Sequence, residues 1–446
     1  MSRRNPILEG PIFPALTRFS LPILCSLVLQ ALYGAVDLFM VSRFAESADV
    51  SAVSTGSQTM AIVSGIITGL AVGITVLLGQ SVGQKNHQKS ACIIGSGSWI
   101  FLFLALGFTL LLYFAAPPLA AFLNAPAAAF PKTVHYIKIC GLGTLFVVGY
   151  NVLSGIFCGL GDSKTPLLFV AIACIVNLFG DYLLIERFRL GAEGAALATI
   201  AAQAVSVLFS LLVIRKKLPF PLTKAAFHPQ KTLVMAILKL GLPVALLRMC
   251  TEVSYLVILG FVNVFGEVAS SGVGIAEKLV MFILLIPTAY MSSISTFVAQ
   301  NSGAGQLDRA RRSLFVGLWS AGAVGGLLAW LSFFHGDLLS RLFISDAAVI
   351  AASGEFLKAT ALECFLLSLA YCFDGYFNGC GKTTLVMLRG ILAALLVRIP
   401  YAYFASARPD ASLFEIGLST ALAALFMLIF CLLEYFIREK RPRSAP

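Results

Sequence analysis

The chain has 446 residues, of which 59% are hydrophobic and 12% are charged, and its mean hydropathy is +0.92. A soluble domain carries about 25% charged residues, so this composition excludes a water-soluble fold and indicates a polytopic membrane protein. The formal net charge of +11 does not indicate nucleic-acid binding. Membrane proteins concentrate Lys and Arg in their cytoplasmic loops, which accounts for such a charge.

Apolar windows of the length that crosses a bilayer recur along the whole chain. A membrane-spanning helix needs about 20 such residues. Between polar or Gly- and Pro-containing breaks, the sequence predicts an all-α protein with twelve transmembrane helices, near 19–41, 52–77, 92–115, 135–158, 166–186, 193–214, 240–263, 272–298, 314–334, 356–378, 384–405 and 413–436.

The basic residues of the loops orient these spans. If the N-terminus is cytoplasmic, the inner loops and tails hold 18 Lys and Arg residues and the outer loops hold 6. Because Lys and Arg favour the cytoplasmic side, we expect a multi-pass protein with both termini in the cytoplasm.

The two halves of the sequence resemble each other. The longest inner loop is basic and contains prolines, which predicts a linker at about 215–234 between lobes 1–218 and 219–446. At offset 220, Gln80 matches Gln300, Gly83 matches Gly303, Lys138 matches Lys358, and Gly155, Phe157, Gly159 and Gly161 match Gly375, Phe377, Gly379 and Gly381; the pair Leu21-Pro22 matches Leu242-Pro243 at offset 221. Since each half has an even number of spans, we expect two six-helix lobes related by a pseudo-two-fold axis along the membrane normal.

Polar side chains lie inside the apolar spans of the first half. Asp37 falls in span 1, and a charge at the centre of such a helix costs roughly 2.5–3.5 kcal/mol on insertion scales. Asn177 and Asp181 are four residues apart on one face of span 5, while Asn151 and Thr199 lie in spans 4 and 6. If these groups converge, they form a site for a proton or a hard cation, because two adjacent carboxylates cannot both ionise cheaply. Alternatively, each Asp reaches interfacial water near the outer end of its span.

The second half carries a different set of charges. Span 7 contains Arg248 and Glu252, four residues apart, and span 10 contains Glu363 and Asp374. Arg398 in span 11 is placed to pair with either acid of span 10. These residues are candidates for structural ion pairs, for substrate binding or for carrying protons, and the sequence leaves the three roles open.

Three further features complete the sequence-based interpretation. Pro22 lies fifteen residues before Asp37 on the same span, where a proline permits a helix kink. The four histidines show no metal-ligand spacing. The run DGYFNGCGKT at 374–383 lacks the first glycine of a phosphate-binding loop and follows no strand, so we expect no nucleotide site.

Several stretches together resemble the multidrug and toxic compound extrusion (MATE) family, in its prokaryotic branch. They are NPILEGPIFPALTRFSLPILCSLVLQALYGAVDLFMVSRF, AVSTGSQ, GLAVGITVLLGQSVGQKN and the turns GLGDSKTP and GCGKTT. The resemblance covers the whole chain. It implies a secondary transporter of the inner (plasma) membrane that exports amphiphilic organic cations by alternating access between its lobes, in exchange for H+ or Na+.

The resemblance also implies roles for particular residues. In prokaryotic members the first-lobe cation site has residues at the positions of Asp37, Asn151, Asn177, Asp181 and Thr199, and Na+ at Asp37 and Asp181 is the one metal that it suggests. Other members emphasise acids at the positions of Glu252 and Asp374, so the coupling ion and the dominant lobe stay open. We expect a monomer in the lipid bilayer that is not an enzyme and needs no cofactor, no nucleic acid and no ATP-binding partner.

One alternative is a flippase for lipid-linked oligosaccharides from the same superfamily. Anionic pyrophosphate lipids would favour a cavity rich in arginine, whereas arginines such as Arg248 and Arg398 are few inside the spans. A passive channel would not need two similar lobes with buried acids, and a membrane enzyme would need a nucleophile or a metal cluster that the sequence does not show.

Overall fold

The computed structural model describes residues 5–408 and 410–439, which form helices and turns without a β-strand. The long helices are α1 (Ile12–Phe44), α2 (Ser47–Gly83), α3 (His87–Phe122), α4 (Phe130–Leu142 continuing as Thr144–Leu160), α5 (Lys164–Asp181, ending in the π-helical turn Tyr182–Arg187), α6 (Gly191–Lys217), α7 (Lys231–Asn263), α8 (Glu267–Gly303), α9 (Leu307–Ser340), α10 (Ala347–Gly379), α11 (Thr383–Leu392, the π-helical turn Ala393–Arg398 and Ile399–Ser406) and α12 (Leu413–Glu439).

Each predicted span lies within one of these helices. Eleven helices in the described part of the chain are long and apolar enough to cross a membrane, and α4 makes a twelfth if its two pieces, bent by 50° at Gly143, count as one span. The prediction of an all-α polytopic membrane protein is therefore confirmed.

The helices begin and end at the polar breaks of the sequence. The Asn86 side chain accepts the backbone N–H of Lys89 at 2.9 Å and caps α3. Asp346 accepts two N–H groups at the start of α10. Gly161 and Gly381 follow α4 and α10 with φ of 87° and 78°, a left-handed conformation that glycine adopts without strain. These two turns lie 220 residues apart, so the repeated glycines of the sequence mark a repeated turn.

The chain folds into two compact units. The N-unit comprises Leu21–Ala245 with Gly303–Gly305, and the C-unit comprises the described residues before Leu21, Leu246–Ser302 and the described residues from Gln306 onward. The lobe limits 1–218 and 219–446 remain a prediction from the sequence. Arg3, Arg4 and the basic residues beyond 439, which contribute to the predicted cytoplasmic charge, lie outside the described residues.

In the N-unit, the core lies where α2 packs against its neighbours. Ile67, Ile74 and Leu78 of α2 are fully buried in one apolar cluster with residues of α3, α4 and α5. Gly73 of α2 faces the backbone of α7 so closely that an added Cβ would lie 2.3 Å from the carbonyl oxygen of Ile237. The absence of a side chain there lets α2 and the first part of α7 pack backbone to backbone.

The C-unit has its own core and also holds the N-terminal segment. Within the core, Val273 and Ala276 of α8 pack with buried residues of α7, α10, α11 and α12. Arg309 of α9 donates from Nε to the Ile7 carbonyl at 3.1 Å and from Nη1 to the Gly10 carbonyl at 2.6 Å. Asn301 Nδ2 donates to the same Ile7 carbonyl at 3.2 Å. We call this set of contacts the N-terminal clamp.

Candidate functional site

Four polar residues of the N-unit meet inside the bundle. Asp37 lies on α1, Asn177 and Asp181 lie on one face of α5, and Thr199 lies on α6. Thr199 Oγ1 donates to Asp37 Oδ2 at 3.1 Å, and the side chains of Asn177 and Asp181 also lie beside the Asp37 carboxyl. Asp37, Asn177 and Asp181 are 6%, 1% and 0% exposed. Four of the five residues predicted for the first-half site therefore lie together.

Several atoms of this group have no hydrogen-bond partner among the described residues. They are Asp37 Oδ1, Asn177 Nδ2 and both carboxyl oxygens of Asp181. Neither carboxyl forms an ion pair with a described Lys or Arg. Burying an ionised carboxylate without partners costs several kcal/mol, so such a pair requires a proton or a bound cation. The arrangement can therefore bind one positive charge between two carboxyls.

Asn151, the fifth predicted residue, makes its hydrogen bonds elsewhere. Its Oδ1 accepts the Thr68 hydroxyl at 3.0 Å, and its Nδ2 donates to the Val147 carbonyl at 2.8 Å. Both contacts lie along α2 and α4, and neither involves Asp37. The amide therefore joins two helices of the N-unit in this structure, and its part in cation binding remains a prediction.

The structure adds two residues that the sequence-based interpretation missed. Tyr33 lies one turn before Asp37 on α1, and its hydroxyl is a neighbour of Asp37, Thr199 and Gln203. Gln203 lies one turn after Thr199 on α6, and its Oε1 is buried without a hydrogen-bond partner among the described residues. The spacing in the sequence could have identified both residues, since each is four positions from a predicted site residue on the same helix.

In the C-unit, Asp374 belongs to a buried ion pair. It pairs with Arg389 of α11, and the two side chains are 3% and 1% exposed. Arg389 Nη1 also lies 3.4 Å from Glu434 Oε2 on α12, and its guanidinium lies over the Phe377 ring. Because Arg389 occupies this place, Asp374 is not the partner of Arg398, for which the sequence offered either Asp374 or Glu363.

Arg398 pairs with Glu363, the other acid offered by the sequence. Glu363 Oε1 accepts the Tyr255 hydroxyl at 2.8 Å and lies 3.7 Å from Arg398 Nη2. The Arg398 guanidinium also lies 4.5 Å from the centre of the Tyr255 ring, which adds a cation–π contact. Ser254 Oγ accepts from Arg398 Nη1 at 3.5 Å. All of these residues lie in the C-unit.

The remaining predicted residues make fewer contacts. Arg248 is half-buried and Glu252 is exposed, and the described residues show no ion pair between them. Pro22 lies inside α1, which is continuous from Ile12 to Phe44, and the Pro22 carbonyl accepts the Ser26 hydroxyl at 2.9 Å. A kink at Pro22 remains a prediction. Within residues 5–408 and 410–439, no group of three or more His, Cys, Asp and Glu side chains is placed to hold a metal ion.

Comparison with known families identifies the chain. The family model MatE matches it twice, over residues 22–183 and 243–404. The chain belongs to the MatE family. The two matched segments are equally long and begin 221 residues apart, at Pro22 and Pro243, which agrees with the sequence repeat.

The similar proteins span nearly the same length. The chain is 28% identical over 429 residues to the probable multidrug resistance protein YpnP of Bacillus subtilis, covering 96% of this chain and 95% of that protein. It is 25% identical over 442 residues to the multidrug export protein MepA of Staphylococcus aureus, covering 97% and 95%.

Solved structures confirm the fold of this MatE chain. A multidrug resistance MATE family transporter of the MOP superfamily, solved in an outward-facing conformation, superposes with a TM-score of 0.91 at 18% identity, over 99% of this chain and 100% of that chain. A MOP superfamily transporter from Pyrococcus furiosus superposes with the same TM-score, identity and coverage. The resemblance to the MATE family seen in the sequence is thus confirmed.

Proposed function

We propose that this chain exports amphiphilic organic cations in exchange for H+ or Na+, using Asp37 and Asp181 as the coupling-cation site. The observation that carries the proposal is the adjacent pair of buried carboxyls without a basic partner. Membership of the MatE family and the names of its relatives, a probable multidrug resistance protein and a multidrug export protein, support the export of drugs.

The bound cation determines the electrostatic energy of the N-unit. When the site holds one proton, the protonated carboxyl donates to the other, and Thr199 supplies a second donor to Asp37. A Na+ would instead be bound by the carboxylate oxygens, the side-chain amide oxygen of Asn177 and the Thr199 hydroxyl. When the cation leaves, both carboxyls are ionised, and two unit charges at a contact distance of about 4 Å repel each other by ~4 kcal/mol at an effective dielectric constant of about 20.

That repulsion is large enough to change the conformation of the N-unit. Since 1.4 kcal/mol is a factor of ten in an equilibrium constant, a second conformation that relieved all of this ~4 kcal/mol would be favoured by nearly three further orders of magnitude. The three helices that carry the site, α1, α5 and α6, are the elements on which this energy acts. An ion gradient can therefore drive export without ATP and without a cofactor.

Loose selectivity for the exported compound follows from the same forces. An unpaired carboxylate attracts any organic cation, and aromatic rings add about 0.5–2 kcal/mol per cation contact. The sequence supplies 35 phenylalanines that can make such contacts.

We place the protein as a monomer in the inner membrane with both termini in the cytoplasm, and we assign it no enzymatic activity.

The test is dye export from reconstituted vesicles under imposed gradients. Asp37→Asn and Asp181→Asn keep the side-chain shape but remove the titratable charge, and we expect each to abolish gradient-driven ethidium export. Asp410→Asn, which alters an exposed loop carboxyl, is the matched control. Imposing pH and Na+ gradients separately identifies the coupling ion.

Export at the wild-type rate by both site variants would refute the assignment. Gradient-independent movement of a lipid-linked oligosaccharide, without ethidium export, would favour the flippase instead. That alternative has few guanidinium groups to draw on, because the buried Arg389 and Arg398 are paired with carboxylates, whereas the half-buried Arg248 forms no ion pair with a described residue.

A further inference from the structure

A groove lies beside the start of α9 in the C-unit. It has a volume of about 550 Å³ and is lined by the segment Gly10–Pro14 and by Arg309, Arg312, Phe315 and Val316. Most of its surface is apolar, and the rings of Phe13 and Phe315 are 56% and 54% exposed. We call it the α9 groove.

The only polar side chains that line the α9 groove are two guanidinium groups. Arg309 belongs to the N-terminal clamp, and its guanidinium lies 5.3 Å from the centre of the Phe297 ring. Arg312 is exposed and forms no ion pair or hydrogen bond with a described residue. The exposed acids Glu9 and Asp308 are near in the sequence but do not line the groove. The groove therefore presents positive charge beside apolar surface.

The position of these residues along α9 places the charge near a membrane surface. The helix has 34 residues and is up to about 51 Å long, whereas the hydrocarbon core of a bilayer is about 30 Å thick. Arg312 lies about 8 Å from the start of the helix, at the depth of the headgroups. Phe315 and Trp319 follow on the same face, three and seven residues further on, and lie deeper. With a cytoplasmic N-terminus, this end of α9 lies on the cytoplasmic side.

In the N-unit, the linker covers the equivalent face of α3. Trp99 Nε1 donates to the Phe227 carbonyl at 2.7 Å. A Cβ added at Gly95 would lie 2.0 Å from the carbonyl oxygen of Ala226, so the linker backbone packs directly on the helix there.

In the C-unit, the same face of the repeat is uncovered. At offset 220, Gly95 corresponds to Phe315 and Trp99 corresponds to Trp319. Because Phe315 carries a ring where Gly95 admits the linker backbone, no segment can pack as closely on α9. Trp319 is accordingly 82% exposed. The α9 groove is thus a surface that the chain covers in one unit and leaves open in the other.

We propose that the α9 groove binds an anionic phospholipid of the cytoplasmic leaflet. The lipid phosphate accepts hydrogen bonds from the Arg312 guanidinium, whose paired N–H donors match phosphate oxygens, and Arg309 adds a second positive charge. An acyl chain lies along the rings of Phe13 and Phe315. Basic groups at the cytoplasmic surface attract anionic lipids, and the N-unit counterpart of Arg312 is the uncharged Cys92.

The charge makes a second copy of the chain a poorer occupant. A two-fold contact brings the same surface of both copies together, so it would place Arg312 of one copy against the same positively charged groove of the other. A soluble phosphate would leave the rings of Phe13 and Phe315 uncovered. A phospholipid meets both the guanidinium groups and the apolar surface.

Native mass spectrometry of the purified full-length protein measures this binding. The protein is stripped of lipid in detergent and titrated with phosphatidylglycerol, or with phosphatidylcholine of the same acyl chains, which carries no net charge. We expect phosphatidylglycerol to bind several-fold more tightly. Equal binding of the two lipids by the wild-type protein would overturn the proposal.

Substitutions locate the lipid in the groove. We expect Arg312→Gln to weaken phosphatidylglycerol binding about fivefold, the contribution of one basic side chain near a membrane surface, and to leave phosphatidylcholine binding unchanged. Arg312→Lys keeps the charge and should retain most of the affinity, whereas Phe315→Ala should weaken both lipids. Arg341→Gln alters an exposed arginine at the opposite end of α9 and is the matched control. Wild-type affinity for phosphatidylglycerol in Arg312→Gln refutes the site.

Two competitors are tested in the same samples. If inorganic phosphate displaces the phosphatidylglycerol, the groove is a site for free anions; if the protein is a dimer that phosphatidylglycerol dissociates, the groove is a contact between copies. Either result overturns the lipid assignment. Should Arg312→Gln not yield a monodisperse protein, a salt titration of the wild type replaces it, and the preference for phosphatidylglycerol must fall as the ionic strength rises.

Proteolysis gives an independent readout. A lipid that contacts both Phe13 and Arg312 holds the start of α1 against α9, so phosphatidylglycerol should slow cleavage near Ile7 and phosphatidylcholine should not. Equal cleavage rates in the two lipids would refute the placement in the groove. None of these measurements uses transport, so their outcome is independent of the proposed function.

Discussion

Asp374→Asn tests whether the acid of span 10 holds Arg389 or binds a coupling cation. The ion pair is buried on both sides, at 3% and 1% exposure of the two side chains. Breaking such a pair by removing one partner costs about 3–5 kcal/mol, because it leaves an uncompensated buried charge. Glu434 keeps a contact of 3.4 Å with Arg389, so we expect a loss at the lower end, about 3 kcal/mol.

The double variant Asp374→Asn/Arg389→Gln separates the two roles. It removes both charges and leaves amides that can bond to each other, so we expect it to recover most of the stability. Thermal unfolding in detergent, followed by size-exclusion chromatography, measures each loss. Arg408→Gln breaks an exposed pair with Glu415 and is the control, with an expected cost below about 1 kcal/mol.

The transport assay completes this test. If Asp374 only holds Arg389, the double variant exports ethidium nearly as well as the wild type. Export that stays lost in a double variant of restored stability would show that the Asp374 carboxyl itself takes part in transport. A single variant as stable as the wild type would refute the argument from burial.

Three further predictions follow from contacts in the two units. Thr199→Val removes the hydroxyl donor to Asp37, and we expect export to fall several-fold with a shifted pH profile, measured in the vesicle assay. Asp162→Ala removes a carboxyl that accepts the N–H groups of Lys164 and Thr165, and we expect a loss of about 1 kcal/mol in thermal unfolding. Although burial alone would raise it, hydrogen bonds from Lys217 and Thr165 hold the pKa of Asp162 below its ordinary value. This contribution to stability is therefore present above about pH 5 and is lost as the pH falls through the lowered pKa, below about 4; an equal difference between variant and wild type at acid and neutral pH would contradict it. Arg309→Gln opens the N-terminal clamp, and we expect faster proteolysis near Ile7 with little change in the rest of the digestion pattern.

The spans were predictable because hydropathy alone determines which segments enter a bilayer. The helix ends were not, since α7 begins at Lys231 although its apolar window begins near 240. Residues that project out of the bilayer can remain helical without being apolar. The bend at Gly143 was also missed, because the hydropathy of a window does not depend on the direction of the helix axis.

The site was predictable from spacing only where its residues lie one turn apart on the same helix. Asn177 and Asp181 share a helix face by their spacing, whereas their convergence with Asp37 was predicted on the condition of a compact bundle and from the family resemblance. By contrast, the partnership of Asp374 with Arg389 depends on how two helices are rotated against each other, and spacing along the chain does not determine that rotation.

The N-terminal clamp joins parts of the chain that are made at very different times. Arg309 follows Ile7 by 302 residues, and synthesis proceeds at about 5–20 residues per second. The segment before α1 therefore leaves the ribosome roughly 15–60 s before its anchor exists. During that interval α1 enters the membrane with an unattached start, which is fixed only when α8 and α9 supply Asn301 and Arg309. The first helix to be synthesised is thus among the last to reach its final contacts.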